Sequence, residues 1–157
     1  MNRDASTPSA THRRDFLKLA GAGMVAIALV PIDADATPQA VTEAMAKLIG
    51  DKPTKEGKVN VILPEIAEDG GTVPFAVEVD SPMTETDYVK ALHIFADGNP
   101  SPDVASYYMG PHNGKAKVAV RIRLGKTQTV VCAAEMNNGE TYVGRRMIKV
   151  TLGGCGG

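Results

Sequence analysis

The chain has 157 residues, 17 basic against 18 acidic side chains, 43% hydrophobic but only 4% aromatic content, and two cysteines. That length fits one domain, and a charge balance this even lacks the basic excess on which phosphate-backbone binding leans, so composition gives no ground for a nucleic-acid partner. Two cysteines are too few for a disulfide scaffold.

The N-terminus reads as an address. His12-Arg13-Arg14-Asp15-Phe16-Leu17-Lys18 sets an arginine pair before an apolar stretch from Leu19 to Val30. That pattern resembles a twin-arginine export signal. The stretch contains Gly21 and Gly23 and falls short of the ~20 residues a membrane-spanning helix needs. It leads into Ala34-Asp35-Ala36, a small-x-small cleavage site. Residues 1–36 are therefore expected to be removed, leaving a mature protein in the periplasm, away from the membrane and where thiols meet oxidants. A retained amphipathic anchor is disfavoured because no polar face runs through residues 19–30.

The expected mature chain, with a body over residues 37–152, opens with its one convincing helix. Thr37 can cap it, Pro38 suits the first turn, and Val41, Ala44, Met45, Leu48 and Ile49 recur at helical steps before Gly50. Its apolar face is expected to pack on one end of the domain, and residues 51–57 read as a loop. From Lys58 the period changes to two. Val59, Val61 and Leu63 alternate, as do Val73, Phe75, Val77 and Val79, while Leu92 and Ile94 oppose His93 and Phe95. In Lys115 to Leu124, Ala116, Val118, Val120, Ile122 and Leu124 should face inward and Lys115, Lys117, Arg121 and Arg123 outward. Gln128 to Ala134 and Tyr142 to Leu152 complete the set. The separators Asp69-Gly70-Gly71, Ser81-Pro82, Asp97-Gly98-Asn99-Pro100, His112-Asn113-Gly114 and Asn137-Asn138-Gly139 are turn chemistry. The pattern predicts a mainly β protein, an immunoglobulin-like antiparallel sandwich with one short N-terminal helix and a flexible C-terminal arm.

That arm, residues 153–157, is Gly153-Gly154-Cys155-Gly156-Gly157. A thiol bracketed by glycine pairs has neither fixed neighbours nor a packed backbone, and three extended steps from Leu152 carry it roughly 10 Å. Such a cysteine is a candidate covalent attachment site on a narrow tether. The terminal carboxylate nearby disfavours the thiolate, so activation is expected from whatever the arm visits. Cys132, in the apolar run Val130 to Ala134, reads instead as a buried, inert small hydrophobe. A disulfide to Cys155 or across two protomers is the alternative. His93 and His112 lack ligand neighbours at zinc spacing, and no nucleotide loop, nucleophile elbow or paired-carboxylate cleft can be placed. The basic stripe from Lys115 to Arg123 reads as a solvated face. Tyr107, Tyr108 and Met109 read as core, or as an interface if exposed.

Several stretches carry a family resemblance: Val77-Glu78-Val79-Asp80-Ser81-Pro82-Met83, Leu92 through Pro100, Arg121-Ile122-Arg123-Leu124 and Val150 through Gly157. They resemble the SoxY family, the sulfur-carrier subunits of bacterial Sox thiosulfate-oxidising systems. The resemblance implies an immunoglobulin-like carrier that is not itself an enzyme, holds no resident cofactor or metal, and bears its substrate on Cys155 as a cysteine S-thiosulfonate, a persulfide and related species. It implies a complex with a SoxZ-like subunit, exported in company with this chain, and docking to SoxAX-, SoxB- and SoxCD-type enzymes. Two rival classes are a thiol enzyme, which needs its cysteine in a fixed electropositive pocket, and an adhesion or structural sandwich, which leaves the arm without a purpose.

Overall fold

The Thr37 side chain accepts the Ala40 N–H at 3.2 Å and Pro38 fills a first-turn position, so α1 (Pro38–Ile49) starts where the sequence places it. Gly50 ends it at φ 75°, a left-handed value that costs glycine little. The computed structural model describes residues 36–154; the expected leader through residue 35, and Cys155, Gly156 and Gly157, lie outside the described residues.

Nine strands come after the helix among the described residues: β1 (Thr54–Lys55), β2 (Val59–Ile62), β3 (Ile66–Asp69), β4 (Val73–Val79), β5 (Val89–Ala96), β6 (Asp103–Tyr108), β7 (Lys117–Ile122), β8 (Gln128–Met136) and β9 (Thr141–Leu152). One sheet runs β1-β9-β8-β5-β6, with β3 also paired to β9; the other runs β2-β4-β7. Side chains alternate along β4 and β7, so Phe75, Val77 and Val118 meet Leu92, Ile94 and Cys132 in a common core between the sheets. The fold is a mainly β sandwich with one short helix.

Three features depart from the sequence reading. The main ladders are antiparallel as expected, but β1 and β3 join β9 in parallel, at Thr54↔Thr141 and Ile66↔Lys149. β1 hides in an expected loop because it spans only two residues and both are exposed; Lys55 pairs with Glu140 across it, and Glu56 accepts from Arg145 at 3.0 Å.

The helix, too, sits elsewhere than expected. It covers a sheet face rather than an end: Val41, Ala44 and Ile49 pack on Phe95, Val131, Ala133 and Val143. That contact explains why Val130 to Ala134 is apolar without alternation, since a strand buried on both faces has no solvent side to mark. Burying Val41 and Ile49 contributes roughly 2 kcal/mol each.

The third departure is β6, an edge strand whose residues are exposed or half-buried. It resolves the tyrosine pair by alternation. Tyr107 packs against the core, whereas Tyr108 is 77% exposed and sets its ring edge-on to His93 at 6.3 Å. His93 itself is buried, with Nδ1 2.7 Å from Ser106 Oγ and Nε2 3.2 Å from Glu135 Oε1. Both ring nitrogens are thus engaged by neighbouring strands, which makes it a satisfied core histidine.

Candidate functional site

β9 changes partners along its length, and that change positions the C-terminus. Its first eight residues, Thr141 to Ile148, pair with β8; beyond them Lys149 to Leu152 run beside β3. Thr127 bridges the handover, its Oγ1 accepting the Val150 N–H at 3.0 Å. The last register pair is Asp69↔Leu152, so both chains leave the sheet at the same end.

Beyond that pair, backbone packs directly on backbone. After Asp69 the chain tightens into a short 3-10 turn, Gly70–Thr72, with the Asp69 carboxylate accepting the Gly71 N–H at 2.7 Å. Gly70 C=O accepts the Leu124 N–H at 2.8 Å, and Leu124 C=O accepts the Gly154 N–H at 3.0 Å. Three segments distant in sequence are thereby laced in series. The fit admits no side chain: a Cβ on Gly154 would lie 2.2 Å from Gly70 C and Gly71 N, one on Gly153 2.1 Å from Gly125 O, and one on Gly70 2.2 Å from Leu124 O. Glycine at 153 and 154 therefore answers a demand for close approach. The sequence reading places both in the arm; the structure puts neighbouring backbone where each would carry a side chain.

A buried polar network holds the loop that accepts them. Asn99 Oδ1 accepts the Gly125 N–H at 2.9 Å while Asn99 Nδ2 donates to Arg123 O at 2.9 Å. Gln128 Nε2 donates to Asn99 Oδ1 at 2.9 Å and to Lys126 O at 3.0 Å, and Gln128 Oε1 accepts the Gly98 N–H at 2.8 Å. Asn99 and Gln128 are 8% and 4% exposed, so these amides are committed to the loop and fix the height at which Leu124 and Gly125 present their carbonyls. In the sequence Asn99 reads only as a turn residue and Gln128 as a strand start. A polar side chain hydrogen-bonded to distant backbone leaves no period in the sequence; the available signal is that Gly70-Gly71 repeats the terminal glycine pairs.

Cys132 stands apart from this end of the molecule. It is a free thiol, fully buried, paired in register with Ile94 and Gly144, and burial pushes its pKa up from 9.0 to about 12. Such a group behaves as a small core hydrophobe. Among the described residues no cluster of His, Cys, Asp and Glu could hold a metal ion, and no helix is long and apolar enough to cross a membrane.

The family profile described as "Sulfur oxidation protein SoxY" matches residues 45–155, which takes in the end of α1, every strand, Gly153, Gly154 and Cys155. This chain belongs to the SoxY family. The structure of the sulfur carrier protein SoxY from Chlorobium limicola f thiosulfatophilum is similar at 32% identity and a TM-score of 0.62, covering 73% of this chain and 98% of that one. A superoxide reductase (neelaredoxin) from Ignicoccus hospitalis has a TM-score of 0.53 at 19% identity, over 74% of this chain and 95% of that one, a likeness of fold alone. No curated protein matches the chain significantly. In this SoxY family member, membership connects the chain to sulfur oxidation and accounts for the sandwich; the packed glycines show how its last strand is finished.

Proposed function

We propose that the protein is a periplasmic covalent sulfur carrier, with Cys155 as the attachment residue and the last residues of the chain as the arm that presents it. The observation that carries this reading is the family match, which runs to residue 155, together with a last strand that leaves the sheet beside β3 at Leu152. The SoxY from Chlorobium is named a sulfur carrier, and a thiol is the group in the terminal sequence whose chemistry suits that role.

On this reading the Cys155 thiol and thiosulfate are joined oxidatively by a SoxAX-type haem protein. A sulfur–sulfur bond forms, the thiol proton leaves, and two electrons pass to the haem partner, giving a cysteine S-thiosulfonate. A SoxB-type hydrolase then adds water across the terminal sulfur–sulfur bond, releasing sulfate and protons and leaving the persulfide on Cys155, and a SoxCD-type enzyme oxidises that outer sulfur further. The carrier catalyses none of these steps. Its contribution is delivery: a tethered sulfur replaces repeated capture of a small anion and stays at high effective concentration near each docked enzyme. A SoxZ-like subunit completes the complex. The arginine pair at 13 and 14 directs export of the folded chain, and a companion without its own signal travels with it.

Intact-mass analysis of protein from cells grown on thiosulfate tests the reading. A mass increment on the C-terminal peptide matching a thiosulfonate or persulfide supports it, and Cys155→Ser should then abolish sulfate production in the reconstituted system while leaving folding unchanged. Sulfate production that survives Cys155→Ser sinks it.

A further inference from the structure

We infer that Gly153 and Gly154 are seated on the body as the fixed mount of the carrier arm. The inference rests on the reading of Cys155 as the attachment residue, and it changes what the two glycine pairs are for. A residue chosen for freedom has space around its missing Cβ, as Gly110 and Gly114 do, with nothing within 4 Å. Gly153 and Gly154 have the opposite surroundings: the position each Cβ would take is filled by backbone atoms of Gly125, Gly70 and Gly71 at 2.1–2.3 Å. Backbone cannot swing aside as a side-chain tip can, so these contacts define a seat.

The seat is braced from both sides. Gly70 is locked to Leu124 through a 2.8 Å hydrogen bond, and Leu124, fully buried, anchors that link in the core. Asn99 and Gln128 hold the loop behind it through five hydrogen bonds between 2.8 and 3.0 Å. Into this seat the chain end contributes the Gly154 N–H, bonded to Leu124 C=O at 3.0 Å. Cys155 Cα then lies about 3.8 Å from a fixed Gly154 Cα, rather than at the end of a roughly 10 Å tether pivoting at Leu152. The carrier thereby offers its partners a sulfur whose starting position is set by the body, which reduces the orientational search left to each docking event. Gly70, Gly71, Leu124, Gly125 and Asn99 become positioning residues for the transfer, acting through Gly154.

Two measurements on the full chain test this. First, amide hydrogen exchange of the free protein should show the Gly154 N–H protected by about fivefold, the factor one net hydrogen bond confers, and Gly154→Ala should lose that protection while Tm stays unchanged. Second, in conjugation of thiosulfate by the haem partner, Gly154→Ala should lower kcat about tenfold and leave KM for the carrier unaltered, because docking surfaces are untouched. Gly110→Ala, which adds the same methyl on extended backbone with nothing within 4 Å, should retain both wild-type kcat and Gly154 protection. An unprotected Gly154 amide in the wild type overturns the mount, whatever Cys155 does. So does a Gly154→Ala variant that loads at the wild-type rate, or a Gly110→Ala variant slowed equally. Failure of the carrier reading is read separately, from loading that persists in Cys155→Ser.

Discussion

The buried thiol of Cys132 makes stability depend on pH in a window where it is easily isolated. Its pKa is about 12 in the folded protein against an ordinary 9.0, because the thiolate has no solvation in the core. Below pH 9 both states hold the proton and the full stability is present. As pH rises past 9 the unfolded chain ionises while the folded one does not, so stability falls by up to ~1.4 kcal/mol per pH unit until the folded value is reached. Between pH 8 and 10 the loss comes to roughly 1.4 kcal/mol. Cys132→Ala removes this dependence and at neutral pH costs roughly 1 kcal/mol for the small cavity. The variant should therefore be less stable than wild type at pH 8 and match or exceed it near pH 10. Urea unfolding of both proteins at several pH values gives the comparison, and other titrating groups cancel in the difference. A stability difference that stays constant across this range would refute the reasoning, since it would mean that Cys132 is solvated or already bonded in the folded protein.

The proposed export signal and the outer glycines carry two further expectations. Changing Arg13 and Arg14 together to Lys should retain the precursor in the cytoplasm along with any signal-less companion; fractionation and immunoblotting read the result, and a companion found in the periplasm regardless removes the inference of joint export. Gly156→Val places a β-branched side chain beside the thiol, so conjugation by the haem partner should slow by about tenfold or more, while alkylation by a small reagent and Tm hold at wild-type values. Unchanged conjugation would show that clearance beyond the cysteine is not needed.

The parts of the fold legible in the sequence are those with a solvent side. Lys117 to Ile122 alternates because one face of β7 meets the core and the other meets water, and Thr37 announces α1 by a side-chain bond three residues long. β6 and β1 are not legible. Edge strands exposed along half or more of their residues have little apolar pattern to display, and their pairing with β5 and β9 is written in the partner strands. The helix is legible but its seat is not, for a related reason. Phe95, Val131, Ala133 and Val143 form its floor, yet each sits in a run where inward neighbours are apolar too, so sequence alone does not separate a doubly buried strand from an ordinary one.

The glycine pairs show the same limit at the site. Read along the chain, Gly153-Gly154 and Gly156-Gly157 are symmetric about Cys155, and symmetry invites one explanation for both. Glycine, however, serves two opposed physical ends, freedom of the backbone and closeness of approach, and only the surroundings tell them apart. For the inner pair the surroundings are the carbonyl of Gly125 and the backbone of Gly70 and Gly71, supplied by segments 28 and more residues away in sequence. If the carrier serves several enzymes, as proposed, the two uses combine: a fixed origin at Gly154 gives every partner one starting place relative to the docking surface, and small residues after it leave room to enter each active site. On that logic the thiol belongs immediately after the packed glycine pair and before the pair that supplies clearance, which is where Cys155 stands in the chain.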